Sequence, residues 1–104
     1  MNRRANDLAA WLRGAGVARG DRVALLAMNG VEALDLLFAC AKLGAVFVPL
    51  NWRSHWRELA AVVTLTGPAV LVYGDEFAEA ARELQRECPV LRTWLHLGAP
   101  AVAG

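Results

Sequence analysis

Residues 22–28, 45–50 and 69–73 are apolar along almost their whole length rather than at every second position. A strand with one face in water alternates. One that is apolar throughout is buried on both faces, and such strands belong to parallel sheets with helices packed on each side. The segments between them fit that frame. Leu8, Trp11, Leu12 and Ala15 recur at helical spacing and predict a helix over residues 3–14, with Gly14 and Gly16 as stops. Asn29 with Glu32 three positions on predicts a capped second helix, along which Leu34, Leu37, Phe38 and Ala41 hold helical spacing up to Gly44. Pro49 has no N–H to donate and is expected to end the second ladder. Leu59, Val62, Val63 and Thr66 line a third helix that Gly67 and Pro68 stop. Asp75 is expected to cap a fourth, with Phe77, Ala81, Leu84 and Cys88 facing inward and Pro89 as its end. Residues 91–97 read as a fourth strand, and 98–104 as a tail of small residues. Helix and strand thus alternate four times with short connections. The fold class is α/β: a doubly wound parallel sheet with helices on both faces, in one unit over residues 1–104.

Composition enters as a set of exclusions. With 57% hydrophobic residues and 9 Gly, the chain is far from the polar balance of a disordered segment, although twenty of its residues are Ala, which bury little each. A formal charge of +1 gives no field that would gather a nucleic acid or an anionic membrane surface. The most apolar stretch, residues 31–50, contains Glu32, Asp35 and Lys42, so no membrane span is expected. Arg3 and Arg4 resemble the start of an export signal, but the apolar run after them is five residues long and ends at Arg13. Cys40 and Cys88 lie far apart with no second Cys or His at ligand spacing, which argues against a disulfide framework or a zinc site and suits a reducing cytoplasm.

The candidate chemical residues are few. Gly14, Gly16 and Gly20 suggest a dinucleotide loop, but the spacing is one residue too long and joins helix to strand, whereas pyrophosphate binding needs strand followed by helix. Residues 64–68 have the composition of a phosphate loop without a Lys and read instead as a helix stop. His55 and Glu58 stand three apart and do not by themselves make a metal site; His55 reads as the residue opening the third helix. Glu76, Glu79, Glu83 and Glu87 read as a solvated face paired with Arg82 and Arg86. The most informative loop is residues 51–56, Asn51-Trp52-Arg53-Ser54-His55-Trp56, because it follows the carboxyl end of a strand, where open α/β sheets place ligands. There Arg53 or Arg57 could meet an anion, and Trp52 and Trp56 could pack on a ligand or on further protein. No catalytic, cofactor-binding or metal-binding residue is assigned.

One further pattern runs through the chain. Arg4-Ala5-Asn6, Leu8 to Leu12, Gly16-Val17, Gly20-Asp21-Arg22-Val23-Ala24, Asn29 with Glu32, Ala41-Lys42-Leu43-Gly44-Ala45-Val46, Val48-Pro49-Leu50-Asn51, Glu58-Leu59 and Gly67-Pro68-Ala69 together strongly resemble the adenylate-forming enzymes. These are the AMP-dependent synthetases and ligases of the acyl-CoA synthetase type. The resemblance covers residues 3–73, and Asn51-Trp52-Arg53 followed by His55 is similar to the branch acting on medium-chain or aromatic acids. Two residues depart from the family: Trp56 stands where it often has a small residue or Pro, and Ser54 replaces a usual apolar residue. The resemblance implies an acid–CoA ligase, cytoplasmic, that activates a carboxylic acid with ATP and Mg to an acyl-adenylate and transfers it to coenzyme A. The family's phosphate loop with its Lys, its ribose-binding Asp and its late catalytic Lys have no counterpart here. The chain is therefore expected to be the N-terminal part of such a ligase, inactive alone, binding no ATP, Mg or coenzyme A by itself, with the remainder of the parent enzyme as its partner. The competing expectation is a stand-alone α/β interaction module that binds protein through Trp52 and Trp56.

Overall fold

A computed structural model of the chain describes residues 3–27, 30–89, 91 and 93–97. In chain order the elements are α1 (Arg3–Gly14), β1 (Arg22–Leu26), α2 (Gly30–Leu43), β2 (Val46–Pro49), α3 (Trp56–Thr66), β3 (Val70–Tyr73), a 3-10 turn (Asp75–Phe77), α4 (Ala78–Glu87) and β4 (Thr93–His96). The four strands form one parallel sheet in the order β2-β1-β3-β4. α1 and α2 cover one face and α3 and α4 the other, so the α/β class with helices on both faces holds. The 98–104 tail and the Asn29–Glu32 cap lie outside the described residues and side chains.

Alternate residues of the central strands feed two cores. Val23, Leu25, Val70 and Val72 point to α1 and α2, meeting Ala9, Leu12, Leu36, Ala39 and Cys40. Ala24, Leu26 and Leu71 point the other way, to Leu59, Val63, Leu84 and Cys88. Burial on both faces is why these strands show no alternation.

Several expectations are corrected. The expected arc of α1 included Trp11 and Ala15, yet both are exposed, and the helix buries Ala5, Ala9 and Leu12. On α2 the residues that hold the expected spacing, Leu34, Leu37, Phe38 and Ala41, face outward, and Asp35, Leu36, Ala39 and Cys40 face inward. Apart from Asp35 both arcs are apolar, so spacing alone could not choose between them. Val62 of α3 is likewise exposed while Leu59 and Val63 are buried. β2 ends at Pro49, as expected, but not for want of its N–H: Val46 donates to the Asp21 carbonyl and Leu50 to that of Leu25, so the ring nitrogen of Pro49 lies on the open side of an edge strand and costs the ladder no bond. Asp75 does not cap α4, because a 3-10 turn intervenes and no side-chain cap bond forms there.

Cys40 is buried against the sheet, and that desolvation pushes its thiol up to about 11. Cys88 is buried as well and is also a free thiol. Neither thiol should react with a disulfide reagent at pH 8 in the folded chain, and both should react on adding denaturant; fast labelling of Cys40 without denaturant would contradict its placement.

Candidate functional site

All four strands run the same way, so the segments that leave their carboxyl ends gather along one edge of the sheet. The loop after β2 and the turn after β3 meet there through Trp52 and Phe77, whose ring centroids are 6.3 Å apart. Trp52 is half-buried beside the second core, so it is committed to packing rather than held out toward a ligand. Arg53 is exposed and lies over the Trp52 ring at 5.0 Å, and Arg57 over Trp56 at 5.5 Å. These two guanidiniums keep the loop's capacity to meet an anion, although they are anchored on different rings.

His55 is the residue that opens α3, as expected. Its Nδ1 accepts the Arg57 N–H at 3.2 Å, and its own N–H donates to Glu58 Oε1 at 3.1 Å. The His55–Glu58 spacing thus encodes a helix cap rather than a metal pair, and among the described residues no group of three or more His, Cys, Asp or Glu could hold a metal. Imidazole is an uncommon cap acceptor. Exchanging His55 for Asp or Ser should therefore stabilise the chain by about 0.5 kcal/mol, the low end of cap effects, seen as a small rise in melting temperature. A fall of more than that amount would show that the imidazole does something a cap does not.

The structure also makes a pairing that spacing could not reveal. His96, at the end of β4, places Nε2 2.9 Å from Asp75 Oδ1 across 21 residues of chain. Its ring stacks on Tyr73 with centroids 4.8 Å apart and planes 14° from parallel, and Trp94 meets Tyr73 edge-on. This ties β4 to the turn after β3. Asp75 is well exposed, so the pair is screened by water and adds little to stability. On the outer side, Trp56, Glu79, Arg82, Glu83 and Arg86 line an open groove, where Arg86 pairs with Glu83 as the charge spacing implied.

The other singled-out residues resolve into fold-making contacts. Lys42 Nζ donates to Asn6 Oδ1 at 2.7 Å and Arg4 lies 3.7 Å from the buried carboxylate of Asp35, so both contacts lace α1 to α2. Asp21 closes its turn by accepting the Ala18 N–H at 2.8 Å, and Arg22 donates to the Thr66 carbonyl at the end of α3. Gly44 has φ +73°, and a Cβ there would sit 3.0 Å from the Arg19 side chain; Gly67 ends α3 in the left-handed region at φ 58°. Gly16 and Gly20 occupy the helix-to-strand turn, where the dinucleotide reading had failed.

Known proteins share this fold over most of the chain. The family model for AMP-binding enzymes matches residues 1–102. Feruloyl-CoA synthase from an Amycolatopsis species is 46% identical over 84 residues, which are 81% of this chain and 17% of that protein. Long-chain-fatty-acid–CoA ligase FadD13 of Mycobacterium tuberculosis is 46% identical over 74 residues, 71% of this chain and 15% of that protein. Among solved structures, the N-terminal domain of FACL13 from Mycobacterium tuberculosis superposes with a TM-score of 0.85 at 35% identity, covering 94% of this chain and 26% of that one. The chain thus spans less than one fifth of the length of these curated relatives. With nearly its whole length matched by the family model, and its turns and caps built from the residues that carry the resemblance, the chain belongs to the AMP-binding enzyme family.

Proposed function

We propose that this chain supplies the first α/β layer of an acid–CoA ligase. In that reaction the substrate carboxylate attacks the α-phosphorus of ATP and pyrophosphate leaves; the coenzyme A thiol then takes the acyl group and AMP leaves. ATP, Mg and coenzyme A belong to the parent enzyme, which works in the cytoplasm, and no side chain of this chain is given a catalytic, cofactor or metal role. The role of these residues is to build and orient the sheet beside which the rest of the enzyme assembles. The observation that carries the reading is that Asn6, Lys42, Asp21, Gly44, Glu58 and Gly67, all within the family pattern, make laces, turns and caps rather than a cluster of reactive groups. Relatives that act on acids as different as a ferulate and a long-chain fatty acid share this segment, which fits a scaffold better than a specificity element.

A segment exchange tests this. The matched stretch of feruloyl-CoA synthase is replaced by the corresponding residues of this chain, and feruloyl-CoA formation is measured. The hybrid should keep activity within about tenfold of its parent, a change of about 1.4 kcal/mol in the barrier. The 104-residue chain alone should show no ATP–pyrophosphate exchange above a heat-killed control with any added acid, since the phosphate loop with its Lys that would stabilise charge on the transferring phosphate has no counterpart in it. A soluble but inactive hybrid, or acid-stimulated exchange by the chain alone, would overturn the reading.

A further inference from the structure

We propose that the outward face of α4 docks a second copy of this chain, the two helices lying antiparallel about a two-fold axis; this stands apart from the activity proposed above. Glu79, Arg82, Glu83 and Arg86 follow one another at i, i+3, i+4 and i+7, so they share one stripe of the helix, opposite the buried Ala81 and Leu84. Read from the amino end, the stripe runs acidic, basic, acidic, basic, and read from the carboxyl end it runs the other way. Such a stripe matches itself when turned end for end. Glu79 of one copy then faces Arg86 of the other and Arg82 faces Glu83, and the two-fold axis makes each of these pairs twice.

The occupant follows from how the charges are disposed. The four residues line one open groove together with Trp56 and Ala80. Arg86 pairs with Glu83, whereas among the described residues neither Glu79 nor Arg82 has an ion-pair partner within its own chain. Half of the charge on the stripe is thus left for another molecule. The four charges sum to zero, so the stripe has no net pull on a uniformly charged partner such as a nucleic acid or an acidic protein, and its alternation fits its own reverse. No other helix repeats the pattern: α1 exposes Arg3, Arg4, Asp7 and Arg13, three of them basic, and the outward arc of α2 is apolar. Trp56, half-buried at the edge of the groove, adds apolar surface for the contact to cover. Exposed ion pairs are individually weak, so the contact is reversible and is lost as salt rises.

The test mixes tagged and untagged copies of the 104-residue chain and measures capture of the untagged copy. All copies carry Leu37→Lys, which sets a charge on the exposed apolar arc of α2 so that association there does not mask the effect. Glu79→Arg copies should capture one another about tenfold less than copies unchanged on α4, because two contacts become like-charged, and Arg86→Glu copies should do the same. A tagged Glu79→Arg copy should capture an Arg86→Glu copy at the unchanged level, and so should two copies that each carry both substitutions. Asp7→Arg and Arg13→Glu make the same changes of net charge on the exposed side of α1 and should leave capture unaltered in every combination. Equal capture in all combinations overturns the inference. So does a loss that neither the mixture nor the double variant restores, and so does the same pattern from the α1 pair.

Discussion

Replacing Leu71 with Ala should lower the unfolding free energy by about 2–5 kcal/mol, the range for emptying a fully packed leucine site. Leu71 is completely buried on the central strand β3, among Ala24, Leu26, Leu50, Leu59, Val63 and Leu84, and these neighbours come from four different elements or their flanks. A cavity there cannot be closed by one side chain swinging in. Small domains are stable by about 5–15 kcal/mol in total, so the variant should lose a large fraction of that stability. The measurement is a urea titration at the lowest protein concentration that gives signal, with the midpoint moving and the slope held. Leu65→Ala provides the contrast: Leu65 is 85% exposed, so its truncation should change stability by no more than about 0.5 kcal/mol. A Leu71→Ala loss below about 1 kcal/mol would mean that the two sheet faces do not pack as described.

The second large effect is one of mass. At micromolar concentration the 104-residue chain should scatter light as a species well above its 11.2 kDa monomer and should bind a hydrophobic dye strongly. Leu34, Leu37 and Phe38 form one exposed apolar arc on α2, and Trp11, Val46 and Leu65 expose further apolar surface elsewhere, the kind of surface that marks association. Burying such surface yields about 25 cal/mol for each Å², which is enough to drive copies together when no cover is present. Size-exclusion chromatography with in-line scattering reads the outcome. A sharp monomer peak without dye binding and with a cooperative melt would show that the exposed arc of α2 needs no partner, and would restore the stand-alone module.

What the residues alone disclosed, and what they did not, follows from the reach of each signal. α1 was legible to its end residues because a helix stripe and two stopping glycines are local features, and it spans Arg3–Gly14 as expected. The three apolar strands were legible for the same reason, to within about two residues at each end. The inward face of α2 was not, since its residues 36–41 are apolar on every side and periodicity then has two solutions. The end of β2 at Pro49 was legible but its reason was not, because a missing N–H matters only on the side of a strand that is paired, and which side that is depends on the sheet order β2-β1-β3-β4. In the candidate site, the His55 cap could be read from its distance to Glu58, whereas the His96–Asp75 contact joins two elements that only the parallel pairing of β3 and β4 brings together.

The position of Pro49 also sets the symmetry of any assembly made through the sheet. On β2 the residues turned to the open side are Phe47 and Pro49, so half of the outward donors are missing and a proline ring stands in the way. On β4 the open side carries the N–H groups of Trp94 and His96, neither of them a proline. A filament needs a head that fits a tail, here β4 of one copy against β2 of the next, and Pro49 spoils the tail. The remaining arrangement joins β4 to β4 across a two-fold axis, which pairs the strands antiparallel and uses up both good edges at once. Among the described strands, Pro49 therefore weighs against head-to-tail strand pairing, and with it against the cross-β repeat of about 4.8 Å, and favours a two-fold β4 pairing or contact through helix faces.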